Sequence, residues 1–121
     1  MSRIPSFKDL DVWRKAMVLV NHTYDLTSTY PPDERFGLIS ETRKTARSVP
    51  SNVAEGKMRV TSKDFRRHLS IALGSLGELQ TQLLIAGELE YLSPGAIDAV
   101  EKEIEELGRM LRGLERALAI A

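Results

Sequence analysis

Cysteine is absent from the 121-residue sequence. Disulfide bonds and thiolate chemistry are therefore excluded, and the composition suits a reducing compartment, so we expect a cytoplasmic protein. An excess of one charge is absent too, because 17 basic residues balance 17 acidic ones. The net charge therefore points to neither a nucleic acid nor a membrane as a partner.

Long hydrophobic runs are also lacking. The first residues contain no apolar stretch of signal-peptide length, and no segment approaches the roughly 20 uncharged apolar residues that cross a bilayer. These absences predict a soluble, untargeted protein. The length is enough for one hydrophobic core, and we expect a single domain over residues 1–121.

Residues suited to catalysis or metal binding are few. Neither His22 nor His68 has a glutamate three residues before it, so the Glu-x-x-His pairs of a di-iron bundle are missing, and no HExxH zinc motif occurs. We interpret His68 as a surface side chain or a phosphate contact, because no partner for a general base is evident. Ser48 and Ser51 have no neighbouring histidine to activate them. We expect no enzymatic activity, no metal and no cofactor.

The sequence does contain strong helical periodicity. Apolar or small residues recur at alternating spacings of four and three, which is typical of helices packed in a bundle. In the third segment they are Phe65, Leu69, Ala72, Leu76, Leu79, Leu83 and Ala86. In the fourth they are Ile97, Val100, Ile104, Leu107, Leu111, Leu114 and Leu118.

Two earlier segments show the same spacing. In the first segment, from Lys8 to Tyr30, the stripe is Leu10, Trp13, Met17, Val20, Tyr24 and Thr27. In the second it is Ile39, Thr42, Ala46, Val49, Val53 and Gly56. Pro31-Pro32 ends the first helix, a capping sequence at Thr61 starts the third near Ser62, and Ser93-Pro94 starts the fourth. The sequence therefore predicts an all-α fold, an antiparallel up-down-up-down four-helix bundle.

Two features interrupt the regular pattern. Pro50 lies inside the second helix, where it should kink the helix or break it in two. The polar residues around it, Ser48, Ser51 and Asn52, either satisfy the freed backbone groups or contact a ligand. On the third helix, Gly74 and Gly77 should allow another helix to come near.

The charges are distributed unevenly along the chain. In the predicted topology one end of the bundle, which we call the turn end, contains the start of the first helix, the connection between the second and third, and the end of the fourth. Residues 1–16, 43–68 and 107–121 hold fifteen basic and five acidic residues, a net +10, and the remainder carries −10. The helix macrodipole explains only half of this pattern, because it disfavours cations at the start of the third helix. A clustered basic surface is typical of a polyanion site, and it equally suits an acidic surface of another subunit.

The chain resembles a known family through several motifs. They are Phe7-x-x-Leu10-x-Val12-Trp13-x-x-Ala16, Glu34-x-Phe36-Gly37-Leu38, Arg47-Ser-Val-Pro-Ser-Asn-Val-Ala-Glu-Gly56, Ser62-Lys-Asp-Phe65 and Leu69-x-Ile71-Ala72-x-Gly74-Ser75-x-x-Glu78-Leu79. They are similar to those of the 23S rRNA intervening sequence proteins. The resemblance implies a small cytosolic bundle that forms a homopentamer and has no established enzymatic activity. A related accessory protein of diversity-generating retroelements has a similar barrel with a basic, nucleic-acid-binding surface.

Two functional hypotheses follow. The first is a homo-oligomeric, pentameric scaffold whose basic end contacts RNA or DNA. Its candidate nucleic-acid-binding residues are Arg43, Lys44, Arg47, Lys63, Arg66 and Arg67. The second is a protein-interaction or structural module that uses the charged ends and the two glycines for subunit contacts and a protein partner. No membrane partner is expected under either hypothesis.

Overall fold

The computed structural model describes residues 6–120. Over this range the chain forms four α-helices and two short 3₁₀ turns, and no strand. The helices are α1 (Asp11–Thr27), α2 (Leu38–Met58), α3 (Ser62–Glu88) and α4 (Pro94–Ala119). The 3₁₀ turns are Phe7–Asp9 and Pro32–Glu34. The predicted all-α fold is confirmed.

Contacts between neighbouring helices run in opposite residue order along the two helices. Arg47 contacts Tyr24 and Arg43 contacts Thr27, so residue numbers fall on α2 as they rise on α1. The other three interfaces show the same order. The α2–α3 pairs are Asn52–His68 and Thr45–Glu78, and the α3–α4 pairs are Gln80–Glu101 and Gly87–Ile97. The α1–α4 pairs are Lys15–Glu106 and His22–Glu103. Both α1 and α3 pack against α2 and α4, so α1 and α3 occupy opposite corners. These contacts are those of an up-down-up-down bundle.

The core follows the predicted stripes of three helices. All seven predicted residues of α3 are buried, and so are the first five of α4, while Leu114 and Leu118 are partly buried. On α2 the buried set includes Thr42, Ala46 and Val49 as predicted. Burying one such leucine contributes about 1.5–3 kcal/mol, so these stripes supply most of the apolar driving force.

On α1 the predicted stripe is wrong by one residue from Trp13 to Tyr24, while Thr27 is buried as predicted. The buried face is Val12, Ala16, Leu19, Thr23 and Thr27, whereas Met17 is 38% exposed. Two threonines can lie in the core because their hydroxyls donate to the carbonyls of Leu19 and Thr23, at 2.8 Å each. The helix also begins at Asp11 rather than Lys8 and ends at Thr27 rather than Tyr30.

Pro50 does not break α2, which runs without interruption through it. Of the two predicted effects of Pro50, a kink or a break, the break does not occur. Ser48 donates to the Thr45 carbonyl at 2.6 Å, and the Asn52 amide donates to the Ser48 carbonyl at 2.8 Å. Both bonds stay within α2, and their acceptors are the carbonyls of Thr45 and Ser48 rather than the Ala46 carbonyl that Pro50 leaves without its usual donor.

The outer face of α3 is poor in charge. Between Leu69 and Gly87 its exposed residues are Ser70, Ile71, Gly74, Gly77, Glu78, Thr81, Leu84 and Ile85. Outside the backbone of α3 itself, no atom lies within 4 Å of a Cβ placed on either glycine, so the helix that these glycines would admit does not come from the described part of this chain. By length and hydropathy, α3 alone among the described helices could cross a membrane, a property that the sequence reading understated. Its buried stripe accounts for only part of this apolar character.

The end opposite the turn end, called the far end, contains the connections α1–α2 and α3–α4. Tyr91 donates a hydrogen bond to Glu34 at 2.9 Å and packs its ring 5.3 Å from that of Tyr30. Glu34 also accepts from the backbone nitrogen of Leu38 and so caps α2. The hydrogen bond to Glu34 raises the pKa of the Tyr91 hydroxyl. The two connections are thus joined directly.

Candidate nucleic-acid interface

The six predicted binding residues fall into two groups along the bundle. Lys63, Arg66 and Arg67 lie in the first turns of α3, at the turn end. Arg43 contacts Thr27, the last residue of α1, and at 1.5 Å per residue it lies about 22 Å along α2 from Met58. The prediction that all six share one basic end is therefore wrong. Because α2 has 21 residues, a residue can be near the α2–α3 turn in sequence and still lie far from the turn end along the bundle axis.

The group at the turn end gains two arginines from α4. Arg66, Arg112 and Arg116 line one depression of about 250 Å³, together with Glu115 and Ala119. The Nε of Arg66 is buried and has no hydrogen-bond partner within the described chain. We call Lys63, Arg66, Arg67, Arg112 and Arg116 the turn-end cluster. The two α4 arginines belong to the basic residues predicted at this end but not to the six predicted binding residues, although their i,i+4 spacing puts them on one helix face.

None of the five cations of the turn-end cluster forms an ion pair with a described residue. Other cations do pair with carboxylates, namely Arg14 with Asp11, Lys15 with Glu106 and Arg59 with Glu55. Arg3, which was counted at this end, lies outside the described residues. The cluster thus differs from Arg14, Lys15 and Arg59, each of which has a carboxylate partner.

The second group surrounds Tyr24. The guanidinium of Arg43 lies 4.5 Å from the centre of the Tyr24 ring, and its Nε donates to the Thr27 hydroxyl at 2.8 Å. Arg47 donates to the Tyr24 hydroxyl at 2.7 Å. A depression of about 290 Å³, which we call the Tyr24 pocket, is lined by Tyr24, Arg35, Phe36, Ile39, Ser40, Arg43 and Arg47. Lys44, the remaining predicted residue, is exposed on α2 but does not line this pocket.

His68 is not a surface residue, so that interpretation is wrong. Its side chain is 4% exposed, and its Nδ1 lies 3.2 Å from the Asn52 amide oxygen. Nε2 lies 3.1 Å from a Glu55 oxygen but off the direction of a hydrogen bond. The spacing offered a clue, because His68 follows Phe65 by three residues and precedes Ala72 by four, on the buried stripe.

A groove of about 620 Å³ separates parts of α1 and α4 at the far end. Leu26, Leu92 and Val100 line it, and its rim holds the hydrogen-bonded pair His22–Glu103. Among residues 6–120 no group of three or more histidine, aspartate or glutamate side chains could hold a metal ion. The concentration of uncompensated charge lies elsewhere, in the two basic groups.

The fold and these groups define a small helical-bundle protein with two basic sites. The chain belongs to the 23S rRNA-intervening sequence protein family, whose model matches residues 8–113. A solved structure with the same fold is a protein of unknown function from the S23 ribosomal protein family of Bacteroides thetaiotaomicron. It is 18% identical, with a TM-score of 0.80, and the match covers 87% of this chain and 95% of that one. No curated protein matches significantly. The family predicted from the motifs is thus confirmed.

Proposed function

We propose that the protein is a non-enzymatic, homo-oligomeric helical scaffold that binds RNA or DNA through the turn-end cluster. The observation that carries the proposal is that three arginines from two helices, Arg66, Arg112 and Arg116, line one depression with one carboxylate, Glu115. None of the three forms an ion pair with a described residue, and neither do Lys63 and Arg67 in the same first turns of α3. Guanidinium groups bind phosphate through paired hydrogen bonds, and neutralising phosphates releases counterions. Three of the cations lie at the start of α3, where the helix dipole disfavours them, so helix stability does not explain them.

The outer face of α3 supports the oligomeric part of the proposal. Ile71, Leu84 and Ile85 are each more than 40% exposed on a face with one charged residue, Glu78. A helix that is apolar on its outward side is normally covered by another surface. Gly74 and Gly77 leave room there for close approach. We propose that another copy of the chain covers this face. The family resemblance supports a pentamer, and the absence of cysteine supports a cytoplasmic location.

A salt titration with a matched pair of variants tests nucleic-acid binding. The test variant combines Arg66→Gln, Arg112→Gln and Arg116→Gln, and the control combines Arg14→Gln, Lys15→Gln and Arg59→Gln, whose cations are already ion-paired. Both lose the same charge. We expect wild type to bind labelled RNA and duplex DNA with strong salt dependence. The test variant should lower the log–log salt slope by up to about 3, at roughly 0.9 per lost phosphate contact, and the control should change it little.

Two results would overturn this proposal. One is the absence of binding at low salt, and the other is equal weakening by the two variants, which would show a dependence on net charge alone. A protein-interaction module without nucleic-acid binding is the second candidate, and the charge-poor face of α3 favours it. That candidate predicts that the test variant changes the oligomer mass in light scattering while no nucleic acid binds to wild type.

A further inference from the structure

We propose that the Tyr24 pocket holds an unpaired nucleotide of a single-stranded nucleic acid, with its base stacked on Phe36 and its flanking phosphates on the pocket arginines. The inference rests on the proposed function and specifies the form of nucleic acid that the protein prefers. It concerns a site separate from the turn-end cluster, on the α1–α2 side and nearer the far end.

The pocket arginines are held in place before any ligand arrives. Arg43 is fixed by the Tyr24 ring, by the Thr27 hydroxyl and by a longer bond of 3.4 Å to the Tyr24 carbonyl. Arg47 is fixed by the Tyr24 hydroxyl. Each guanidinium has five N–H donors, and these contacts leave several of them free. Pre-ordered donors lose less side-chain entropy when they bind an anion.

No carboxylate compensates this charge at the pocket. Its lining contains three arginines and no acidic side chain, and none of the three forms an ion pair within residues 6–120. Like charges grouped in this way repel one another, so an anionic ligand would relieve the repulsion. The pocket therefore suits a ligand with at least one phosphate or carboxylate.

Phe36 supplies the second requirement, a flat apolar surface. Its side chain is 87% exposed in the turn just before α2, and the guanidinium of Arg35 lies 5.3 Å from its ring centre. Ile39 adds apolar surface within the same pocket. A nucleobase offers a matching flat face, and proteins that bind single strands combine cations with such stacking rings. In a duplex the bases are paired and stacked on one another, so this ring would have no free base face.

An acidic peptide is the other ligand that combines negative charge with apolar groups. Extended peptides usually bind through main-chain hydrogen bonds to an exposed strand edge. Most of this pocket is lined by side chains of α1 and α2, where the backbone hydrogen bonds are internal to the helices. A nucleotide needs only stacking and phosphate contacts, and the pocket offers both.

Fluorescence anisotropy with two probes tests the inference. One probe is a labelled single-stranded RNA of roughly 12 nucleotides, and the other is the blunt duplex of the same sequence. Phe36→Ala should weaken single-strand binding roughly 10-fold and leave duplex binding unchanged, because the stacking is lost. Phe36→Trp should retain single-strand affinity. The control is Val18→Ala, which shortens an exposed apolar side chain outside both basic groups.

A charge-matched pair checks the arginines. Arg35→Gln should weaken the single-strand complex more than Arg109→Gln, because Arg109 lines neither basic site. The turn-end triple variant should weaken both probes. If that variant behaves as expected while Phe36→Ala does not discriminate between the probes, the inference fails and the proposed function stands. If wild type binds neither probe, the proposed function fails first.

Two further results would overturn the inference even if Phe36 matters. A change in oligomer mass on Phe36→Ala would identify the ring as a subunit contact. Binding of a labelled poly-glutamate peptide that is equally sensitive to Phe36→Ala would identify a pocket for acidic peptides. The nucleotide site would be supported if Phe36→Ala keeps the wild-type oligomer mass and if the peptide binds weakly, with the same affinity in wild type and Phe36→Ala.

Discussion

Gly56 of α2 lies directly against His68 of α3. A Cβ on Gly56 would be 2.8 Å from the Cβ of His68 and 2.9 Å from Cδ1 of Phe65. Both distances are shorter than real carbon atoms tolerate, so the two helices can approach this closely only because residue 56 has no side chain.

Gly56→Ala should therefore destabilise the fold. We expect a loss of about 1–3 kcal/mol in the free energy of unfolding, because the added methyl pushes α2 away from α3. Urea unfolding followed by circular dichroism measures it. Gly95→Ala is the control, since no atom lies within 4 Å of a Cβ there. Equal stability of the two variants would show that α2 and α3 can separate without cost.

Asn52→Ala should also destabilise the α2–α3 interface. Its amide oxygen faces Nδ1 of His68, and its amide nitrogen donates to the Ser48 carbonyl. Removing it leaves a buried ring nitrogen without its partner, at a cost of roughly 1–3 kcal/mol. Asn21→Ala, at an exposed position of α1, should stay within about 0.5 kcal/mol of wild type. A neutral Asn52→Ala would contradict a structural role for the contact.

Tyr30 should make the protein sensitive to alkaline pH. Burial raises the pKa of its hydroxyl from 10.0 to about 12. The unfolded chain loses this proton above pH 10 while the folded chain keeps it, so stability falls as pH rises from about 10 to about 12. Tyr30→Phe should reduce that fall by up to roughly 2 kcal/mol in urea unfolding.

At pH 7 the same variant should be neutral or slightly stabilising. The Tyr30 hydroxyl is buried without a hydrogen-bond partner among the described residues, so its removal leaves nothing unpaired. Tyr24→Phe is the comparison, because it removes a hydroxyl that accepts from Arg47. A clear loss of stability in Tyr30→Phe at pH 7 would mean that the hydroxyl has a partner in solution.

Ile85→Glu should reduce the mass of the proposed oligomer. The residue is 44% exposed on the charge-poor face of α3, and a buried carboxylate at a subunit contact would be costly. Val18→Glu is matched in exposure, at 46% on α1, and should leave the mass unchanged. Light scattering coupled to chromatography gives the masses. A monomeric wild type, or wild type that sediments with lipid vesicles, would contradict coverage of this face by another copy.

Elements with one possible buried register could be predicted from the sequence. On α3 and α4 the apolar residues leave a single consistent stripe, which is buried throughout on α3 and as far as Leu111 on α4. On α1 apolar residues occur in two adjacent registers. The register that is buried includes Thr23 and Thr27, whose hydroxyls donate to carbonyls of the preceding turn. Residue spacing does not contain that information.

The candidate site was predictable only in part, for a geometric reason. Arg66 and Arg67 lie in the first turns of α3, directly after the connection at which the chain reverses direction, so their place at the turn end follows from the topology. The position of Arg43 along the bundle axis depends on the length of α2 and on the contact of Arg43 with Tyr24, which lies on another helix. The convergence of Arg66 with Arg112 depends on how α3 and α4 are aligned, and sequence spacing does not fix this alignment.

The hydrogen bond between Tyr91 and Glu34 should make the far end of the bundle open later than the turn end. It links residues 57 positions apart and, with the Tyr30–Tyr91 ring contact, holds both far-end connections together. At the turn end the corresponding link is a short connection, Arg59 to Thr61, with Val60 fully in solvent. Fraying should therefore begin there, and amide hydrogens of the first turn of α3 should exchange with deuterium before those near Tyr30. The arginines of the turn-end cluster would then lie on the more adaptable half of the molecule.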